Sequence, residues 1–201
     1  MMMGQGFLAI WSDVPPEHET DYLHWMTREH AQERLAIPGF RNVRLFRATS
    51  TQYRRFFILY ALDNAEVMAS PAYLARLNDP TPWSRRIMPI LVNFRRGGGR
   101  VEAREGRGHG TLVVPFLADD GLAVAPIQLP EIVARDRIVA ASLLHSDSGA
   151  TSIQTGEKQL RSHDHGFDRL TLVEALDAGA LNALLTDGAE IFEQIFAQDA
   201  T

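Results

Sequence analysis

Apolar residues along the chain alternate in short runs and then shift to a helical spacing, and this order occurs twice. Residues 6–12 (GFLAIWS) put Phe7, Ala9 and Trp11 on one face of a strand and Leu8 and Ile10 on the other. Pro15-Pro16 end that strand. Residues 17–36 then read as a helix with acids at its start, stopped by Ile37-Pro38-Gly39. Residues 40–48 and 55–62 read as a second and a third strand, joined by a turn at Ser50-Thr51-Gln52. A second helix is expected over 65–77, broken by Asp79-Pro80-Thr81-Pro82. A short turn over 83–88 leads to a fourth strand within 90–105. The order βαββαβ is that of a ferredoxin-like unit.

Residues 95–110 hold six of the fifteen glycines and five arginines, a density that invites a phosphate-loop reading. The run lacks the Gly-x-x-x-x-Gly-Lys pattern and does not sit between a strand and a helix. An edge strand passing into an interdomain linker is the better expectation. Beyond it the pattern returns. Residues 110–117 echo 6–11, a shortened helix covers 129–135, and strands are expected over 137–146 and 167–175. A helix over 178–185, a turn at Asp187-Gly188 and a strand near 191–197 complete the second copy.

The expected fold is therefore α+β, with two ferredoxin-like βαββαβ repeats in one chain. The first spans residues 1–105 and carries the motif-rich helix; the second, degenerate copy spans 106–201. Each has one apolar sheet face, and packing the two sheets face to face gives an intrachain α+β barrel with helices outside and a cavity between the sheets. Neither half would be stable alone.

Composition narrows the function classes. A hydrophobic share of 45% with 22% charged residues is that of a soluble globular protein. A net charge of −5 argues against nucleic acid and anionic membranes as partners. The absence of cysteine excludes disulfides, thiolate nucleophiles and Cys-based metal sites. The start of the chain has no basic n-region, and its apolar run is too short for a signal or spanning segment. A cytoplasmic protein is expected.

Chemistry concentrates in residues 25–40, WMTREHAQERLAIPGF. Glu29 and Glu33 lie four apart, as do His30 and Arg34, so two rows of ionisable groups run along adjacent helix faces. His30, flanked by Glu29 and Glu33, would have a raised pKa and act as a general acid or proton relay. Trp11, Trp25 and Tyr60 would supply apolar walls, and Arg34 or Arg44 would stabilise an enolate or phenolate. The competing reading is a salt-bridged helix end with no ligand. Trp83 is expected as a packing anchor that borders the ligand site. His30 with Glu33 and the His163-Asp164-His165 run are the candidate metal ligands, but no HExxH or Glu-x-x-His pair occurs and no metal is expected. The Gly-x-Ser-x-Gly elbow of hydrolases and the dinucleotide glycine fingerprint are likewise missing.

The pattern His24-Trp25-(x)3-Glu29-His30-(x)2-Glu33-Arg34-(x)2-Ile37-Pro38-Gly39-Phe40 resembles one found in the dimeric α+β barrel superfamily. Tyr60, Ser70-Pro71-x-Tyr73 and Pro82-Trp83-Ser84 add to the likeness. It is nearest to EthD-like proteins, with polyketide-type monooxygenases and lactone isomerases further off. It covers residues 6–105, and the second half only by topology. The resemblance implies a small apolar or aromatic ligand bound between sheet and helices, with no organic cofactor; a heme branch exists, but nothing singles out an axial histidine here. The expected activity is proton transfer through His30, as in an isomerase, dehydratase or lyase. A non-enzymatic binding or assembly protein and a cofactor-free monooxygenase are the alternatives. Homodimer formation through sheet edges is left open.

Overall fold

Strands and helices fall close to where the periodicity puts them. The computed structural model describes residues 4–50, 54–117, 125–161, 164–185 and 189–201. In the first half, β1 is Gly6–Asp13, β2 Phe40–Ala48, β3 Arg55–Leu62 and β4 Val92–Glu105. The first helix, α1, is continuous over Glu19–Trp25, a π-helical turn at Met26–His30, and Ala31–Leu35. It is followed by α2 (Pro71–Asn78) and α3 (Pro82–Ile87), each with Pro in its first turn and a side-chain cap, from Ser70 and Thr81 respectively.

In the second half, β5 is Leu112–Leu117, α4 Leu129–Val133 and β6 Ile138–Ser146. Two short helices that the periodicity did not reveal, α5 (Ser148–Ser152) and α6 (Gly156–Gln159), precede β7 (Arg169–Ala175). Helix α7 (Ala178–Asn182) and β8 (Phe192–Asp199) complete the chain. Thr51, Gln52, His163 and the expected Asp187-Gly188 turn lie outside the described residues.

The eight strands form a closed barrel in the order β1-β3-β2-β8-β5-β7-β6-β4, and all ladders between them are antiparallel. The fold is thus α+β with helices outside. β4 is neither an edge nor a linker. It pairs with β1 along Gly6↔Arg100 to Asp13↔Val92, and its far end pairs with β6 from Gly99↔Ser146 to Glu105↔Ala141. β8 does the same between β2 and β5. The glycine run has a steric cause. A Cβ on Gly97 would lie 2.4 Å from the Phe167 ring on one face, and one on Gly98 2.1 Å from Met68 Sδ on the other. Every strand thus has a neighbour on each side, the shortest join being the two-pair β5–β8 ladder.

The alternation in β1 reads as expected: Phe7, Ala9 and Trp11 face the barrel interior, and Leu8 and Ile10 face the helices. The expected cavity between the sheets is confined to one end of the barrel, and the middle is packed solid. Phe7, Phe46, Phe57, Leu59, Leu144, Leu170 and Leu172 fill that space, with Phe46 and Phe57 ring centroids 5.5 Å apart. One end of the barrel is closed by charge. Arg44 donates to Glu174 Oε2 (2.7 Å), to the Gly110 carbonyl (2.6 Å) and to Gln194 Oε1 (2.6 Å), and Arg104 donates to Glu174 Oε1 (3.1 Å). Burial alone would raise the Glu174 carboxyl. The hydrogen bond with His109 and the charges of Arg44 and Arg104 outweigh it and hold the pKa at about 2.

Candidate functional site

The helix layer over the first sheet is where ionisable groups are taken out of water. His30 is 3% exposed and Arg34 2% exposed, both on the inner side of α1. The π-helical turn puts His30 there. In a regular α-helix, residues five apart point about 140° away from each other. The wider turn at Met26–His30 brings Trp25 and His30 onto one face, with ring centroids 4.2 Å apart. Trp25 is held in turn by its indole N–H, which donates to Ser84 Oγ at 3.1 Å.

The two rows read from the sequence have opposite fates. His30 and Arg34 turn inward. Glu29 instead accepts a hydrogen bond from Thr81 Oγ1 at 2.6 Å, bracing α1 against the start of α3. Glu33 pairs with Arg76 at 3.3 Å, bracing it against α2. Neither acid borders the cavity at His30. The expected raised pKa of His30 is therefore corrected. Burial is the largest cause, and the positive charges of Arg34, Arg161 and Arg76 act in the same direction, so the imidazole pKa lies well below its ordinary value and His30 is neutral. Burial in turn raises the carboxyl of Glu33.

The second half supplies the other wall. The segment holding α5 and α6 crosses to the first half, where the Gly156 N–H donates to Asn78 Oδ1 at 3.0 Å. The buried carboxylate of Glu157 accepts from Arg34 Nη2 in a tight ion pair. Lys158 donates to the carbonyls of Thr151 (3.3 Å) and Ser152 (3.4 Å). The Arg161 guanidinium lies 4.2 Å from the Phe94 ring centroid and pairs with Asp164 at 3.1 Å. These residues were missed in the sequence. The available signal was the length of the β6–β7 connection, far longer than the β2–β3 turn, together with Thr155 placed to cap a short helix.

A cavity of about 30 Å³ lies among Trp25, His30, Arg34, Glu157, Lys158 and Arg161, with Leu8, Ile10 and Ile58 of the sheet as its floor. That is room for about two waters and far less than one benzene ring requires. Of the four cations on its wall, Arg34 and Arg161 are matched by Glu157 and Asp164. Arg96 donates to the Tyr73 hydroxyl at 2.9 Å and Lys158 to carbonyls, so among the described residues both lack a carboxylate partner. Among the described residues, three buried polar atoms of its lining side chains have no hydrogen-bond partner: His30 Nδ1, Arg34 Nη1 and Arg161 Nε. Such groups cost about 1–3 kcal/mol each when left unsatisfied, more if charged.

The other sequence candidates are elsewhere. Trp11 faces the barrel interior, Arg44 belongs to the Glu174 network, and Trp83 ties α3 to α1 through its indole N–H on Asp21 Oδ1 at 2.9 Å. Tyr60 is fully buried and its phenol pKa is raised by burial, but it does not border the cavity. Among the described residues no group of three or more His, Asp or Glu side chains could hold a metal, and no helix is long and apolar enough to cross a membrane.

No protein-family model and no curated protein sequence matches the chain. Among solved structures, an anthrone oxidase-like protein is similar with a TM-score of 0.61, over 97% of this chain and 92% of its own, at 10% identity. A candidate monooxygenase of Fusobacterium nucleatum subsp. nucleatum follows with a TM-score of 0.51, over 100% and 94% of the two chains, at 10% identity. A candidate chlorite dismutase has a TM-score of 0.51, over 96% of each chain, at 12% identity. At these identities the likeness is one of fold, and the fold shared is the α+β barrel.

Proposed function

We propose that the cavity under α1 is the core of a binding site for a small molecule that carries or develops negative charge, such as an enol or phenol, and that His30 accepts its proton. One observation carries this reading: a neutral, buried imidazole with an unpaired nitrogen faces a cavity wall richer in cations than in carboxylates. Neutral His30 is a base, not the acid its sequence neighbours suggest. The unpaired Arg34 Nη1 and Arg161 Nε would stabilise the anion left behind. Arg34 and Trp25 would then act with His30, whereas Glu29 and Glu33 hold the helix in position.

A ring fits only if part of the wall moves. The Glu157–Lys158 stretch of α6 is the candidate, since it belongs to a short segment held mainly by the Arg34 ion pair and the Asn78 hydrogen bond. On this reading the two ferredoxin-like repeats are unequal partners: the first carries the base and the second supplies the closing wall. The likeness to EthD-like proteins in residues 24–40 belongs to the same proposal.

A second reading rests on the oxidase and monooxygenase names of the fold neighbours. The anion formed at His30 would then be the species that reacts with dioxygen. A thermal-shift screen of phenols, 1,3-diketones and lactones, followed by His30→Gln on any hit, tests both. Loss of turnover or oxygen uptake by at least about a hundredfold with binding retained is expected for a general base. Unchanged turnover in His30→Gln would remove His30 from the mechanism.

A further inference from the structure

The sheet has two sides, and the barrel side holds an opening larger than the His30 cavity on the helix side. At the end of the barrel opposite the Arg44–Glu174 network lies a cavity of about 370 Å³, within the range of small-molecule sites. Its apolar surface is formed by Trp11, Pro115, Leu117 and Phe192, all buried. The Trp11 ring is fixed by Phe57, at 4.6 Å between centroids, and edge-on by Phe167 at 5.4 Å. This site shares no residue with the His30 cavity and does not depend on the function proposed for it.

Two arginines line the mouth, and among the described residues only Arg55 has carboxylate partners. Arg55 donates to both Asp13 oxygens, at 2.6 and 3.0 Å, and to Glu190 Oε2 at 2.7 Å. Asp13 also accepts from Asn93 Nδ2 at 2.7 Å, which ties the rim together. Arg95 makes no ion pair with any described residue. It sits directly across from Trp11 in the β1–β4 ladder (Trp11↔Arg95), so the two side chains leave the sheet on the same face. A half-buried guanidinium with no carboxylate partner among the described residues, beside a buried indole and above an apolar chamber, has the chemistry of a carboxylate clamp with an apolar seat.

We propose that the barrel mouth is a second ligand site, specific for an organic acid with one carboxylate and an aromatic or alkyl body. The carboxylate pairs with Arg95, and the body packs on Trp11 towards Leu117 and Phe192. The chamber is more than twice the about 150 Å³ that accommodates one benzene, so a bicyclic acid or a phenyl ring on a short chain fits.

The test is calorimetric titration of 4-phenylbutyrate and of its neutral amide into the wild type, Arg95→Gln and His30→Ala. Arg95 makes no ion pair among the described residues, so Arg95→Gln is expected to keep the wild-type melting temperature. The acid is expected to bind the wild type and His30→Ala equally and to bind Arg95→Gln about tenfold more weakly or worse. The amide is expected to be indifferent to Arg95→Gln. No binding of the acid at millimolar concentration, equal affinity for acid and amide, or a loss in His30→Ala rather than Arg95→Gln would each overturn the proposal.

Discussion

Replacing Glu174 by glutamine isolates the charged plug at the closed end of the barrel. The carboxyl has an ordinary value of 4.5 and is held at about 2 in the fold, by the His109 hydrogen bond and by Arg44 and Arg104 against the opposing effect of burial. At about 1.4 kcal/mol per tenfold change in proton affinity, that difference is worth about 3 kcal/mol of folding stability at neutral pH. The sign follows from the proton count. The unfolded chain takes up this proton near pH 4.5, while folded Glu174 stays ionised down to about pH 2. The contribution is therefore complete above about 4.5 and is lost as pH falls towards 2. Glu174→Gln should cost about 3–5 kcal/mol at pH 7, because the buried Arg44 and the partly buried Arg104 are left without their counter-charge. Urea unfolding followed by tryptophan fluorescence measures the gap between wild type and variant at each pH. The gap should narrow by about 3 kcal/mol between pH 5 and pH 2. A gap that stays constant over that range, or a carboxyl NMR titration of Glu174 centred at 4.5 or above, refutes the assignment.

Glu157→Gln leaves Arg34 buried and unpaired, so a loss of about 3 kcal/mol is expected in thermal or urea unfolding; the apolar pair Arg34→Met with Glu157→Leu should recover most of it. His30 should be neutral by imidazole NMR at pH 6.5, where a free histidine is half protonated. Since its folded pKa is depressed, the stability it contributes is present above 6.5 and declines as pH falls below that value; an imidazole midpoint at or above 6.5 would contradict the burial argument. Gly39 has a φ of +95°, and a Cβ there would lie 2.4 Å from Val67 Cγ2. Gly39→Ala should lower the urea midpoint by the equivalent of about 1–3 kcal/mol, with partial rescue by Val67→Ala.

Period and punctuation made most of the barrel legible. The alternation of Phe7, Ala9 and Trp11 against Leu8 and Ile10 divides barrel interior from helix layer as expected. Residues 40–48 and 55–62 are strands to the residue. Three things were hidden, each for its own reason. The glycines at 97 and 98 answer to Phe167 and Met68, distant residues whose approach no local pattern announces. The π-helical turn changes which residues of α1 share a face, and a reading at 3.6 residues per turn cannot anticipate it. The sign of the His30 shift was misread because its sequence neighbours Glu29 and Glu33 are drawn away by Thr81 and Arg76, leaving Arg34, Arg161 and Arg76 as the charges it feels.

The same three facts account for the asymmetry between the halves. Outside the second sheet, Leu129, Ile132 and Leu181 complete an apolar layer that, among the described residues, holds no buried titratable group. Outside the first sheet, an equivalent layer is interrupted at His30, Arg34 and Glu157, and the interruption is closed by residues from the second half. A barrel assembled from two separate chains could do this only with a partner's segment. Here the link is intramolecular, and a long β6–β7 connection suffices to carry α5 and α6 across. Burying two arginines and a histidine next to unpaired nitrogens costs stability, and an apolar layer like that of the second half would not incur that cost. The chain has both solutions side by side on one barrel, so packing requirements alone do not select the costly one; the polar interruption over the first sheet is what a function of that site would explain.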